Sequence, residues 1–226
     1  MSIVRRLVYV SGAPGSGKST LAEPLAAELG YALLGKDIIK ETLHSVLGPP
    51  DLDRARSREL GAASMELLWD LAARSPRVLI EANFRPYSGY ERNRLTALGG
   101  VQVEVHCACP TELAVARYNA RPRHPVHVQT SITPDYLAEF DRPMGIGALV
   151  TVDTTALVDV PAVAARVRSL LLSGRRGRSP RPRADIVCRL SRPSGPTSVS
   201  VCWSGRRLPP TPHDHGLRPR RCDPRA

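Results

Sequence analysis

The sequence predicts an α/β fold in which a parallel sheet is covered by helices on both faces. Three observations carry that expectation. Short apolar runs alternate with helical stretches from Leu7 to Leu172, the pattern that strand–helix–strand units impose on a chain. The first run leads straight into a glycine-rich loop ending in Gly17-Lys18-Ser19. All periodicity stops after Ser173, so the 226 residues divide into one domain, 1–173, and a tail, 174–226.

The elements follow in order. Leu7-Val8-Tyr9-Val10 is an apolar run ended by Ser11-Gly12, which reads as a buried strand. A helix is expected from Lys18 to Leu29, closed by Gly30 as C-cap. Tyr31 to Leu34 forms a second strand and Asp37 to Leu47 a second helix. Arg54 to Ala73 is helical, with Leu60, Leu67, Leu68 and Leu71 expected on one face. Val78 to Ile80 is a strand, Gly89 to Leu98 a helix, and Val101 to Cys107 a further strand. Thr111 to Ala120 is helical, and Thr133-Pro134 combines a cap with a first-turn proline. Ala148 to Val152 supplies a fifth strand, and Val160, Val163, Ala164, Val167, Leu170 and Leu171 form the stripe of a last helix. Aromatic residues are only 4% of the chain, so the core is expected to be aliphatic.

Charge separates the two parts. The formal net charge is +11, yet residues 1–173 hold 19 Lys and Arg against 18 Asp and Glu. Residues 174–226 hold 13 Arg, 9 Pro and 3 Asp with no sustained period, a composition too poor in apolar residues to offset its ordering entropy. The tail therefore reads as disordered. Arg outnumbers Lys 29 to 3 across the chain, which favours a frameshift artefact or a functionless extension over a nucleic-acid-binding arm. No run approaches the ~18 apolar residues of a spanning helix, and no secretory leader is evident, so a cytoplasmic protein is expected. Cys107 and Cys109 lie in a strand-like run, with Cys188, Cys202 and Cys222 in the tail; none has zinc-ligand spacing, and free thiols are expected.

Four segments carry chemistry. Gly12-Ala13-Pro14-Gly15-Ser16-Gly17-Lys18-Ser19, followed by Thr20, is a full G-x-x-x-x-G-K-[ST] match between a strand and a helix. Its glycines let successive main-chain amides turn toward a phosphate, and the helix adds its positive end. Lys18 should reach the β- and γ-phosphates of a nucleoside triphosphate, and the Ser19 hydroxyl should ligate Mg²⁺. Asp37, in Lys36-Asp37-Ile38-Ile39-Lys40-Glu41, follows the second strand at the rim where ligands bind. It suits an acceptor hydroxyl, with a helix N-cap as its bland role. Glu81, at the end of Val78-Leu79-Ile80-Glu81-Ala82-Asn83-Phe84-Arg85, suits the water shell of Mg²⁺, with Asn83 and Arg85 pointing into the same cleft. Arg117, Arg121 and Arg123 crowd together with His124 and His127; Arg117 and Arg121 are expected on one helix face. Such guanidinium groups stabilise the charge of a phosphoryl transition state from a closing lid.

The order of these motifs, with Val152-Asp153-Thr154-Thr155 after them, resembles the bacterial AAA-type P-loop kinase-like ATPases, relatives of polynucleotide kinase, chloramphenicol phosphotransferase and zeta toxin. The resemblance covers about residues 5–172. It implies a three-layer αβα P-loop NTPase with strand order 2-3-1-4-5 and an arginine-rich lid. It also implies ATP and Mg²⁺, Asp37 on the acceptor hydroxyl, Arg117, Arg121 and Arg123 in the lid, and Asp153 near the nucleotide base. Lys40 stands where better-known members often carry arginine, which weakens a polynucleotide reading. The expected activity is transfer of the γ-phosphoryl group of ATP to a hydroxyl of a small molecule. A 5′-hydroxyl polynucleotide kinase, a zeta-toxin-like sugar-nucleotide kinase and a nucleotide-gated regulatory ATPase are the alternatives. Lys40, Asn83 and Arg85 join Asp37 as candidate acceptor contacts, with residues 42–66 and 84–92 as walls.

Overall fold

The computed structural model describes residues 4–48, 53–128 and 131–174. The expected disordered tail lies outside them from residue 175 onward. Five strands, β1 (Arg6–Ser11), β2 (Ala32–Gly35), β3 (Arg77–Glu81), β4 (Val101–Ala108) and β5 (Ala148–Asp153), form one sheet. Their order is β2-β3-β1-β4-β5 and every pairing is parallel. Among the described residues, seven α-helices accompany them: α1 (Lys18–Leu29), α2 (Lys36–Leu47), α3 (Arg54–Arg74), α4 (Gly89–Leu98), α5 (Thr111–Ala120), α6 (Pro134–Leu137) and α7 (Val160–Ser173). A 3₁₀ turn, Ala138–Phe140, continues α6.

Alternation along each strand divides the core into two layers. Val8, Val10, Leu79, Val105 and Val152 pack under Leu21 and Leu25 of α1 and Val163, Val167 and Leu171 of α7. On the other face, Leu7, Tyr9, Val78 and Ile80 meet Leu68, Trp69 and Ala72 of α3 and Leu95 of α4. This second layer corrects the aliphatic expectation. Phe84 lies 5.9 Å from the Tyr9 ring and 5.7 Å from Trp69, so few aromatics are present but three of them are concentrated at one centre.

The face of α3 also differs from its expected leucine stripe. Leu60 and Leu68 are buried, whereas Leu67 and Leu71 are 41% and 42% exposed. The buried line runs Ser57, Leu60, Ser64, Leu68, Trp69 and Ala72. Two serines hide this stripe from a hydrophobic pattern. The Ser64 hydroxyl satisfies itself on the Leu60 carbonyl, within its own helix.

Register places the chemistry. Glu81 pairs with Val10 on one side and Gly35 on the other, so it stands between the roots of the glycine-rich loop and of α2. Below this edge, Glu104 is 1% exposed. It accepts from Ser11 Oγ (2.6 Å), Tyr9 Oη (3.1 Å), Met144 N (2.8 Å) and Gly145 N (3.0 Å). One buried carboxylate thus ties β1 and β4 to the loop that enters β5.

Candidate active site

The glycine-rich loop is shaped by close approach as much as by flexibility. A Cβ on Gly15, whose φ is +82°, would lie 2.1 Å from the Ala114 carbonyl oxygen of α5. One on Gly12 (φ +132°) would lie 2.7 Å from the Cys107 carbonyl oxygen. Only glycine fits either place. Lys18 is buried and donates from Nζ to the Ala13 carbonyl (2.8 Å). Ser16 Oγ is buried and has no hydrogen-bond partner among the described residues. Thr154 braces the loop from the end of β5, donating from Oγ1 to the Ser16 carbonyl (2.6 Å).

A cavity of about 790 Å³ opens from this loop toward α2 and α3. Pro14, Gly15, Gly17, Lys18, Ser19 and Thr20 form its phosphate end. Lys36, Asp37, Lys40, Glu81 and Asn83 line it from the strand ends, and Arg117, Arg121 and Arg123 from α5 and the segment after it. Gly12, Ala13 and Ser16 support the loop from outside the lining. The expected lid, phosphate loop and acceptor acid therefore converge on one space.

The charges in it shape one another. Burial draws the Lys18 ammonium below its ordinary value, with Glu81 opposing. Burial pushes the Glu81 carboxyl up, Lys18 pulling the other way. For Asp37, burial would raise the pKa, but the charges of Lys36, His127 and Lys18 outweigh it and hold the carboxyl below the usual range. Lys36 Nζ sits 3.1 Å from Asp37 Oδ1. Lys40 is brought down to about 8, first by burial and then by Lys36, with Asp37 and Glu41 opposing.

Ser19 Oγ and Glu81 Oε2 face each other at 3.4 Å across the mouth of β1 and β3. A hydroxyl and a carboxylate at such a mouth are the hard oxygen donors that Mg²⁺ takes. The orphaned Ser16 hydroxyl and the cradle that any Cβ on Gly15 would fill fit a triphosphate.

Several expectations need correction. Asp37 is not the N-cap of α2: Gly35 holds that place and Asp37 lies in the first turn. Arg121 is not on the helix with Arg117, because α5 ends at Ala120. Arg117 is engaged with the loop after β5, donating to the Thr154 carbonyl (2.8 Å) and the Thr155 carbonyl (3.1 Å). Arg123 stacks on Tyr118, 3.5 Å from the ring centroid. Asp153 lies outside the lining; its carboxylate accepts from Thr155 N (2.9 Å) and Thr155 Oγ1 (2.6 Å). Arg85 turns away from the cavity to Glu139 (2.9 Å), far off in sequence, and to Glu91 (3.6 Å) in the first turn of α4. Of the expected walls, α3 contributes Arg54, Ser57, Arg58 and Gly61, while residues 84–92 contribute nothing. Sequence reading missed Thr154 as a brace and Ser57, whose hydroxyl donates to the Val126 carbonyl (2.7 Å) and ties α3 to the lid. Cys107 and Cys109 are free thiols, and burial pushes Cys107 up to about 12.

A parallel β2-β3-β1-β4-β5 sheet with this loop after β1 defines a kinase-like P-loop NTPase. The AAA domain family profile matches residues 7–143, and the chain belongs to that family. A kinase candidate from Chloroflexus aurantiacus J-10-fl is 31% identical, with a TM-score of 0.66 over 74% of this chain and 99% of its own. Shikimate kinase from Acinetobacter baumannii, solved with shikimate, is 19% identical with a TM-score of 0.51, over 77% and 97%. That second likeness concerns the fold alone. No curated protein matches the sequence. Among the described residues, no helix is long and apolar enough to cross a membrane.

Proposed function

We propose that this chain is an ATP-dependent phosphotransferase that passes the γ-phosphoryl group to a hydroxyl of a small molecule in the cytoplasm. One observation carries the reading: Asp37 faces the same cavity as Lys18 and the glycine-rich loop, with the lid arginines alongside. The name of the Chloroflexus aurantiacus relative agrees with it.

In this reading, main-chain amides of residues 12–20 and the Lys18 ammonium hold the phosphates. Ser19 and Glu81 would hold Mg²⁺, which would neutralise part of the phosphate charge during transfer. Asp37 accepts a hydrogen bond from the acceptor hydroxyl and aligns its oxygen with the γ-phosphorus. As the new O–P bond forms, the bond to the bridging oxygen breaks, ADP departs, and the hydroxyl proton passes to the Asp37 carboxylate. A carboxyl held below its usual range is a weak base, so orientation is its larger contribution; a loose transition state releases the hydroxyl proton late. Arg121 and Arg123 offset the charge spread over the transferred group. Arg117 fixes the loop beside the nucleotide, and Asp153 shapes that loop through Thr155. Asn83 and Lys40 are the remaining acceptor contacts; Arg85 is spent elsewhere.

The test is ADP release by the purified chain with ATP and Mg²⁺, with and without a pool of hydroxyl compounds. A transfer enzyme accelerates when its acceptor is present and yields a phosphorylated product by mass spectrometry. Slow hydrolysis indifferent to every pool would instead favour a nucleotide-gated module.

A further inference from the structure

The cavity continues past Asp37 onto α2 and α3, beneath the edge strand β2, at the opposite end of the sheet from β5. Arg54, Ser57, Arg58 and Gly61 line it at i, i+3, i+4 and i+7, a single face of α3. Lys40 reaches the same face from α2, donating from Nζ to Ser57 Oγ (2.8 Å). A Cβ built on Gly61 would lie 3.9 Å from Lys36 Nζ and 4.0 Å from Lys40 Nζ, so both ammonium groups approach one short stretch of helix.

What distinguishes this wall is that three of its cations make no ion pair with the acids of the same cavity. Asp37 is paired with Lys36 at 3.1 Å, and Glu41 is hydrogen-bonded to His127 at 3.0 Å. Among the described residues, Lys40, Arg54 and Arg58 have no carboxylate partner. Arginines of α3 that lie outside the cavity behave differently: Arg56 pairs with Glu59 at 2.9 Å and Arg74 with Asp70 at 3.0 Å. Unpaired cations on one helix are therefore the ones that face the cavity. Lys40 is only 6% exposed, and the charges of Asp37 and Glu41 offset only part of what burial costs its ammonium.

Resting on the kinase reading above, we infer that the phosphoryl acceptor carries an anionic group, a phosphate or a carboxylate, bound by Lys40, Arg54 and Arg58. Two guanidinium forks one helical turn apart match the oxygens of either group, and Lys40 adds a compact charge between them. The acceptor hydroxyl then lies toward Asp37 and its anionic group toward α3. Neutral sugars and alcohols lack the group this wall selects.

Calorimetric titration of inorganic phosphate, and separately of malonate, into the full chain saturated with a non-hydrolysable ATP analogue and Mg²⁺ tests the inference. Binding of at least one anion is expected, weakened 10-fold or more by Arg54→Ala with Arg58→Ala and unmoved by Arg56→Ala. The anion that binds tighter names the group. Arg54 and Arg58 are exposed, so both variants should fold, which thermal melting checks. If the analogue itself fails to bind, the nucleotide assignment has failed; the same titrations in a Lys18→Ala background without nucleotide then read the α3 wall alone. No binding of either anion, or an equal loss on Arg56→Ala, overturns the inference.

Discussion

The two ends of the cavity are built by different means. The phosphate end is made of backbone: glycines at positive φ, a cradle pressed against α5, and a helix start. The end proposed for the acceptor is made of side chains that arrive from α2, α3 and the segment after α5. A backbone site binds what every member of a fold shares and tolerates little change. A side-chain site can be rewritten one residue at a time without disturbing the sheet. Conserved donor chemistry and variable acceptor chemistry are the natural consequence of that division.

The largest effect should come from the shared end. Lys18→Ala removes the one buried ammonium of the loop, and phosphoryl transfer should fall by ~10³-fold. Single-turnover kinetics measure it; a loss under tenfold would mean that the loop lysine does not touch the reacting phosphate.

Beneath both ends, Glu104 gathers four donors in the core. Glu104→Ala leaves the Met144 and Gly145 amides unsatisfied, while Tyr9 and Ser11 keep Ile146 and His106 as partners, and should cost about 3–5 kcal/mol of stability. Denaturant unfolding reads this directly, and a cost below 1 kcal/mol would show that the support is replaceable.

His106, beside Ser11, makes that support sensitive to acid. Burial, with Lys18 adding to it, draws its imidazole down to about 4 from an ordinary 6.5. The folded chain therefore binds fewer protons than the unfolded chain between these values. Its contribution is complete above pH 6.5 and is lost as pH falls to about 4, roughly 3 kcal/mol in all. His106→Phe should flatten that part of the stability profile, and an unchanged slope would assign it to other groups.

The smallest effect belongs to the variable end. As pH rises through about 8, Lys40 loses its proton beside Lys36, Asp37, Glu41, Ser57 and Arg58. An anionic acceptor should then show a KM several-fold higher at pH 9 than at pH 7, with kcat nearly constant. Lys40→Arg should remove the dependence, since guanidinium does not titrate there.

The same division decided what was legible in the sequence. The loop of residues 12–20 is contiguous and its spacing is set by main-chain geometry, so it could be read without coordinates. The strands were legible because Leu7–Val10 and Val78–Ile80 are short apolar runs buried on both faces, and because Val101–Cys107 alternates apolar residues with Gln102, Glu104 and His106 at the strand period. The wall proposed for the acceptor was not. Arg54 and Arg58 resemble any surface arginine until α3 is laid beside α2, and Ser57 carries no signal of its link to Val126. Arg85 misled for the converse reason: its proximity to Glu81 in sequence suggested the cleft, and partners on α4 and the turn after α6 drew it away. Thr154 needed β5 beside β4 before its hydroxyl could be seen to brace the glycine-rich loop.

One comparison tests the division between donor and acceptor ends most directly: γ-labelled ATP with the wild-type chain and Asp37→Ala, transfer to a pooled set of anionic hydroxyl compounds being scored beside ATP affinity. Asp37→Ala should bind ATP within about threefold of wild type and lose transfer by ~10²-fold or more. Undiminished labelling of the same product by Asp37→Ala would contradict the assignment and move the acceptor to another wall of the cavity.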